Sequence, residues 1–280
     1  MQDFGIIALI ILLVNVVVSY KGLKSHSYFD KYSFQVDKIL INKEYRRLIT
    51  SGFLHVSWTH LLFNMASFYC FSFALGAEFG IAKFLLIYFC SLIGGNLFCL
   101  YIHRNHGDYS AAGASGAISG LIFASIVIFP DMEVGMLFLP IHIPTWIYGL
   151  TYVLISIYGI RSQSDNIGHE AHLGGGLVGL LIAIGLEPGS VVHNYLPILL
   201  IVIPSAVFIY FILTKPAFLL VDNYFQKNRE IYDVDDNYNY EKRLDEKELD
   251  RLLDKIHQKG INSLSKREKE KLEQLSSEAK

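Results

Sequence analysis

Three polar clusters interrupt an otherwise apolar sequence, and each holds residues able to do chemistry. The first, Gly113-Ala-Ser115-Gly116-Ala-Ile-Ser119-Gly120, opens the apolar run 113–129. A serine at a helix N-terminus meets free backbone N–H groups and the positive end of the helix dipole. Both favour developing negative charge, which suits Ser115 to nucleophilic attack. The soluble-hydrolase elbow is not the motif, because it needs glycine two residues after the serine and Ala117 stands there. The run also reads as helix packing, since Gly116 and Gly120 form a GxxxG that lets membrane helices approach closely. The second cluster is His169-Glu-Ala-His172, followed by Gly175 and Gly179, a further GxxxG. If these two segments pack together, Ser115 and His172 come within hydrogen-bond reach as a nucleophile and its general base. The third is His55-Val-Ser-Trp-Thr-His60-Leu-Leu-Phe-Asn64. His60 and Asn64 are four residues apart and share a helix face. An asparagine N–H is a neutral donor for an oxyanion in a low-dielectric site, although interhelical hydrogen bonding explains the pair equally well. Metal chemistry is the competing expectation for His55, His60, His169 and His172. The spacing argues against it: His169 and His172 are three apart, whereas the zinc-protease helix needs four. No metal and no cofactor are therefore expected.

The elements that must position these residues are membrane helices. Mean hydropathy is +0.36, and the charges are unevenly spread. The first 214 of the 280 residues hold 21 charged side chains, the last 66 hold 29. One soluble globule is excluded by that asymmetry, as is a wholly disordered chain. With a net charge of −2 and no basic face, nucleic acid is not an expected partner. Runs at roughly 4–20, 58–76, 82–102, 113–129, 144–160, 169–186 and 196–213 are each apolar enough for a bilayer span. The run from Phe4 to Tyr20 lacks a basic flank and a cleavage site and reads as a retained helix. Runs two, four and six carry the Gly, Ser, His and Asn residues and are expected inside the bundle. The connection 21–57 reads as a partly helical interfacial loop. Cys70, Cys90 and Cys99 lie in apolar runs without metal-type pairing. Beyond Thr214 the chain reads as a polar linker, 215–240, and a charged helical hairpin, 241–280. Leu249, Leu252, Leu253 and Ile256 form one stripe, Gly260 stops the helix, and Ser265 with Glu268 forms a capping box. The expected class is an all-α polytopic membrane helix bundle with a small helical C-terminal tail.

Over roughly residues 4–186 the chain resembles a rhomboid intramembrane serine protease. The likeness rests on Gly113-x-Ser115-Gly116, on Ala171-His172 with Gly175 and Gly179, and on His60-x-x-x-Asn64. Glu44-Tyr-Arg-Arg47 is similar to the family's aromatic-arginine signature, and Glu78 to an acidic position after span two. The resemblance implies a rhomboid-like protease core over 1–186 and one additional transmembrane helix over 187–214. It implies Ser115 as nucleophile, His172 as general base, and His60, Asn64 and the Ser115 N–H as oxyanion donors. Gly113 belongs to the serine motif; Gly116, Gly120, Gly175 and Gly179 would permit close helix approach beside the site. It implies transmembrane protein substrates, cut where helix-destabilising residues expose a peptide bond, and a bacterial inner-membrane setting. One departure stands out: the best-studied members carry a tyrosine four residues after the serine that stacks on the base, and here that residue is Ser119. The orientation of His172 is then expected to come from His169 or from an aromatic elsewhere. The alternative function is an inactive rhomboid-like protein that binds membrane proteins without cutting them, although such a protein is expected to lose the serine or the histidine. A transporter is disfavoured, since neither repeat symmetry nor charged spans are present. Charge counting and resemblance disagree about orientation. Seven Lys/Arg in 21–57 place the Ser115 side in the cytoplasm, whereas the family places it outside. With seven spans the tail falls on the Ser115 side. No partner for the tail is identifiable.

Overall fold

The computed structural model describes residues 2–135, 142–162 and 168–214, together with nine positions between 252 and 272. Each expected run is helical. The first is α1, Gln2–Lys24. Its Leu9, Leu13 and Val17 are exposed, as lipid contact requires, while Asn15 and Ser19 are buried toward the bundle. The loop that follows contains α2, His26–Tyr32, then β1, Phe34–Gln35, α3, Val36–Leu40, and α4, Arg47–Thr50. Runs two and three form one element, α5, Trp58–Ile102, broken at Gly80. There φ is +70°, a backbone state that only glycine adopts without strain, so the chain reverses into 58–79 and 81–102.

A short strand β2, Ser110–Ala111, precedes α6, Ser115–Ile128. It pairs antiparallel with β1, Phe34 opposite Ala111, and thereby ties the first loop to the entry of α6. Two residues per strand are too few for alternation to register in sequence. A second pair, β3, Glu133–Gly135, and β4, His142–Pro144, leads into α7, Thr145–Ser162. Then come α8, His169–Leu186, α9, Gly189–His193, and α10, Tyr195–Thr214.

The helix α6 is central. All residues from Gly116 to Val127 are buried. Its neighbours approach at glycines. A Cβ on Gly116 would stand 3.3 Å from the Ala171 carbonyl oxygen, and one on Gly179 would meet the Gly120 backbone. At 14 residues α6 is only about 21 Å long, against a hydrocarbon thickness of about 30 Å. It is therefore too short to cross the hydrocarbon from face to face, so at least one of its ends lies within it.

Arg47 organises the first loop. It is buried, its Nε donating to Glu44 Oε2 at 2.8 Å and its Nη1 to the Asp30 and Ser33 carbonyls at 2.6 and 2.8 Å. Burial pushes the Glu44 carboxyl up, but the Arg47 and Arg46 guanidinium groups outweigh it and hold the group below its ordinary range. Asn96 fastens the loop to α5, donating to the Leu48 carbonyl at 2.8 Å and to Ser51 Oγ at 3.2 Å.

Residues 224–280 form a separate compact unit. Leu252 and Ile256 are helical, and Leu252 and Leu264 are buried. The capping box is present: Ser265 N donates to Glu268 Oε2 at 2.8 Å and Glu268 N to Ser265 Oγ at 3.3 Å. Lys255, 2.7 Å away, and that cap hold the Glu268 carboxyl down to about 2. Leu249, Leu253, Gly260 and the 215–240 linker lie outside the described residues.

Candidate active site

The chain enters α6 through Gly113, whose φ of +150° lies in the region that favours glycine and whose N–H donates to the Ser51 carbonyl at 3.0 Å. Ser115 is the first residue of α6, so its N–H and those of the next turn have no helical acceptor. A methyl group on Gly113 would sit 3.3 Å from Ser115 Oγ and 2.9 and 3.1 Å from His60 Cε1 and Nε2. The serine hydroxyl and the His60 imidazole thus converge on one side of Gly113, which must lack a side chain to admit them.

His60 and Asn64 occupy the first turns of α5. Ser57 caps that helix, its Oγ accepting from His60 N at 3.1 Å. Asn64 is buried and donates one amide N–H to the His60 carbonyl at 3.0 Å, leaving the second for an acceptor. His60 Nδ1 is buried without a hydrogen-bond partner among the described residues. The His55 ring lies edge-on to that of His60, with centroids 5.1 Å apart. Nδ1 of His55 is 2.8 Å from Ser19 Oγ, which itself donates to the Phe53 carbonyl at 3.0 Å. Nδ1 of His55 therefore carries the proton. Burial, and after it the neighbouring His60, hold the His55 imidazole well below its ordinary range.

His172 stands in the first turn of α8, its N–H bonded to the Gly168 carbonyl at 3.2 Å. The neighbouring Ala171 carbonyl is the atom that faces Gly116, which sets the serine and histidine on adjoining turns of packed helices. The dyad hydrogen bond itself is not formed: His172 Nε2 is buried and unpartnered among the described residues. In the tautomer protonated at Nδ1, Nε2 can take a serine proton.

The residue that fixes the imidazole plane is Tyr152 of α7. Its ring stacks on His172, centroids 5.5 Å apart and planes 25° apart. Its hydroxyl is 2.8 Å from Ser119 Oγ, and Ser119 donates to the Ser115 carbonyl at 2.6 Å. A tyrosine on a neighbouring helix thus occupies the stacking place that Ser119 cannot fill, and Ser119 anchors it. His169 stands edge-on to His172 at 5.3 Å, against Gly159 of α7. Both expected supports are therefore realised, with the aromatic drawn from α7. Sequence reading missed Tyr152 because a tyrosine in an apolar span looks like packing. The detectable signal was Tyr148 and Tyr152, spaced for one helix face.

Ser51, Asn96, Ala111, Ala112, Gly113, Ser115, Gly116, Gly168 and Ala171 line a small polar pocket at the serine. It has room for about one water molecule beside Ser115. Among the described residues no carboxylate lies within ion-pair distance of His172, whose ring is held by stacking on Tyr152.

Comparison with known proteins identifies the family. The Rhomboid domain matches residues 42–188, and a family of unknown function (DUF6576) matches residues 232–278. The chain is 37% identical over 144 residues to the putative rhomboid protease YdcA of Bacillus subtilis, covering 51% of this chain and 67% of that protein. It is 25% identical over 188 residues to the mitochondrial RHOMBOID-like protein 12 of Arabidopsis thaliana, covering 62% and 55%. It is 29% identical over 150 residues to the mitochondrial Rhomboid protein 1 of Saccharomyces cerevisiae, covering 51% and 43%. The chain spans about half the length of these two mitochondrial relatives.

Proposed function

The chain belongs to the rhomboid family and is an integral multi-pass membrane protein, and on that footing we propose that it is an intramembrane serine endopeptidase acting on transmembrane segments of single-pass proteins. The observation that supports the reading is the approach of Ser115 Oγ and the His60 ring at Gly113, with Ala171, the neighbour of His172, packed against Gly116. Ser115 Oγ attacks the scissile carbonyl while His172 Nε2 takes its proton. The imidazolium then returns that proton to the leaving amine, and water repeats the sequence on the acyl-enzyme. Negative charge on the tetrahedral oxygen is met by the Ser115 N–H, the second Asn64 amide N–H and the His60 imidazole. The hydrogen bond between Ser115 and His172 closes when substrate enters, as catalytic contacts commonly do. A helical substrate shields its peptide bonds, so cleavage favours segments that unwind easily.

The catalytic machinery is assigned to a core over 1–186, with 187–214 as an added span, 215–240 as linker and 241–280 as a charged tail. A bacterial cell membrane is the proposed setting. The test is labelling by a fluorophosphonate probe in detergent. Labelling at Ser115 that is lost in Ser115→Ala and greatly slowed in His172→Ala is expected. Folded wild-type protein that takes no label would instead favour a rhomboid-like binder that does not cut.

A further inference from the structure

At the end of the 81–102 helix, three metal-ligating side chains meet that the proposed chemistry leaves unused. Cys99 and His103 lie four residues apart, and Glu170 faces them from the first turn of α8. The Cys99 sulfur, a His103 ring nitrogen and a Glu170 carboxylate oxygen all lie within 4.8 Å of one another. Cys99 and Glu170 are buried. We infer that these three residues form a site for one divalent transition-metal ion of the zinc type.

Four observations support the site. First, His103 Nε2 is 3.2 Å from Glu170 Oε1, yet that nitrogen has no aligned hydrogen-bond partner among the described residues. Neighbouring corners of a tetrahedron with bonds of about 2.0–2.2 Å lie roughly 3.3 Å apart, which matches two ligands around a shared centre better than a donor on its acceptor. Second, the charges balance. A thiolate, a carboxylate and a neutral imidazole neutralise a divalent cation, so filling the site relieves a buried carboxylate rather than adding charge to a low-dielectric region. Third, the imidazole is held from outside. Its ring stacks on Tyr109 at 3.6 Å and 9°, and His103 Nδ1 is 3.3 Å from His106 Nδ1, which can hold the proton away from Nε2. The Tyr109 hydroxyl is 3.5 Å from Cys99 Sγ, where it can donate to a thiolate. Fourth, sulfur, nitrogen and oxygen together select zinc-like ions over magnesium or calcium. On binding, the Cys99 thiol loses its proton to solvent, nothing is oxidised, and the longest ligand separation contracts by roughly 1 Å. The ion joins the end of α5 to the turn of α8 that carries His172.

Spacing alone does not signal this site, because the cysteines lack CxxC spacing and Glu170 is distant in the chain. The experiment uses full-length protein in detergent, stripped with a chelator and titrated with cobalt(II). A thiolate-to-cobalt charge-transfer band that saturates at one ion per chain and is displaced by zinc is expected. Cys99→Ser abolishes the band, His103→Gln and Glu170→Gln weaken cobalt binding, and the double change Cys70→Ser with Cys90→Ser leaves the band in place. Zinc raises the melting midpoint of wild type and leaves that of Cys99→Ser unchanged. Absence of the band, or its persistence in Cys99→Ser, overturns the site and leaves a His103–Glu170 ion pair beside a buried thiol. Should Cys99→Ser not fold, wild type beside His103→Gln decides: equal cobalt affinity in the two refutes the assignment.

Discussion

Ser115 stands where α6 has backbone N–H groups to spare, and His172 stands where its ring is stacked on Tyr152 rather than salt-bridged. A dyad without a carboxylate must obtain imidazole orientation from packing, and Tyr152 supplies it. Tyr152→Phe keeps the stack and loses only the hydroxyl contact to Ser119, a change of about 0.5–1.5 kcal/mol. Tyr152→Ala frees the ring and is expected to lower kcat by about 10²-fold at nearly constant KM, the usual cost of a misplaced catalytic group. Cleavage kinetics of the two variants check this, and equal losses would remove stacking from the account. The serine, the histidines and Asn64 were legible in sequence because polar residues are rare and costly in membrane spans. Tyr152 was not, since its anchor Ser119 is 33 residues away. His55 adds a dependence on pH. With its pKa depressed, it stays neutral when folded but takes a proton when unfolded below its ordinary value of 6.5. The unfolded chain then binds more protons, so this stability is complete above pH 6.5 and declines as pH falls below it. Glu44, also depressed, adds its own loss only as pH falls through the carboxylate range near 4.5 and below. Melting midpoints measured between pH 7 and 5 should fall in wild type and fall less in His55→Gln. Parallel curves would exclude His55 as the cause.

At the scale of elements, the site exists because α6, α5 and α8 approach backbone to backbone. The glycines that permit this were visible as GxxxG pairs, and the helical runs were visible as apolar stretches of bilayer length. The shortness of α6 and the turn at Gly80 were less visible: hydropathy continues through both, and only φ/ψ at Gly80 separates the two halves of α5. The β1–β2 pair and the Arg47 cluster escaped periodicity altogether, being built from two-residue strands and from carbonyl acceptors 14 and 17 residues away. Gly179 and Gly185 of α8 offer a direct comparison. A Cβ at Gly179 meets the Gly120 backbone, which cannot rotate away, while one at Gly185 meets nothing within 4 Å. Gly179→Ala should therefore destabilise the bundle by about 1–3 kcal/mol or more, and Gly185→Ala should be neutral or slightly stabilising. Thermal unfolding in detergent separates them; similar midpoints would show that α6 and α8 do not pack as described. Arg47→Ala removes the hydrogen bonds to the part-exposed Glu44 carboxylate and to two carbonyl groups, and a loss of about 1–3 kcal/mol is expected, read as detergent-unfolding of the first loop and weaker labelling of Ser115.

For the molecule as a whole, the proposed chemistry requires water inside an apolar bundle, and the small polar pocket beside Ser115 is the place it would occupy. Orientation follows from the same frame. Of the seven basic residues in the first loop, Arg46 and Arg47 share Glu44 and Arg47 is buried, so the basic count overstates the free charge on that side. The Ser115 side is accordingly expected outside the cytoplasm, with the turn around Lys83 inside. A membrane-impermeant maleimide on intact cells should label Lys24→Cys and spare Lys83→Cys; the reverse pattern would restore the charge-count orientation. The central claim is the dyad, and the most direct measurement is cleavage of a single-pass membrane protein with a helix-destabilised segment, in liposomes. Wild type should cut it, Ser115→Ala and His172→Ala should not, and Asn64→Ala should retain about 10⁻²–10⁻³ of the rate, the usual loss on removing one oxyanion donor. Cleavage that persists in folded Ser115→Ala would contradict the account.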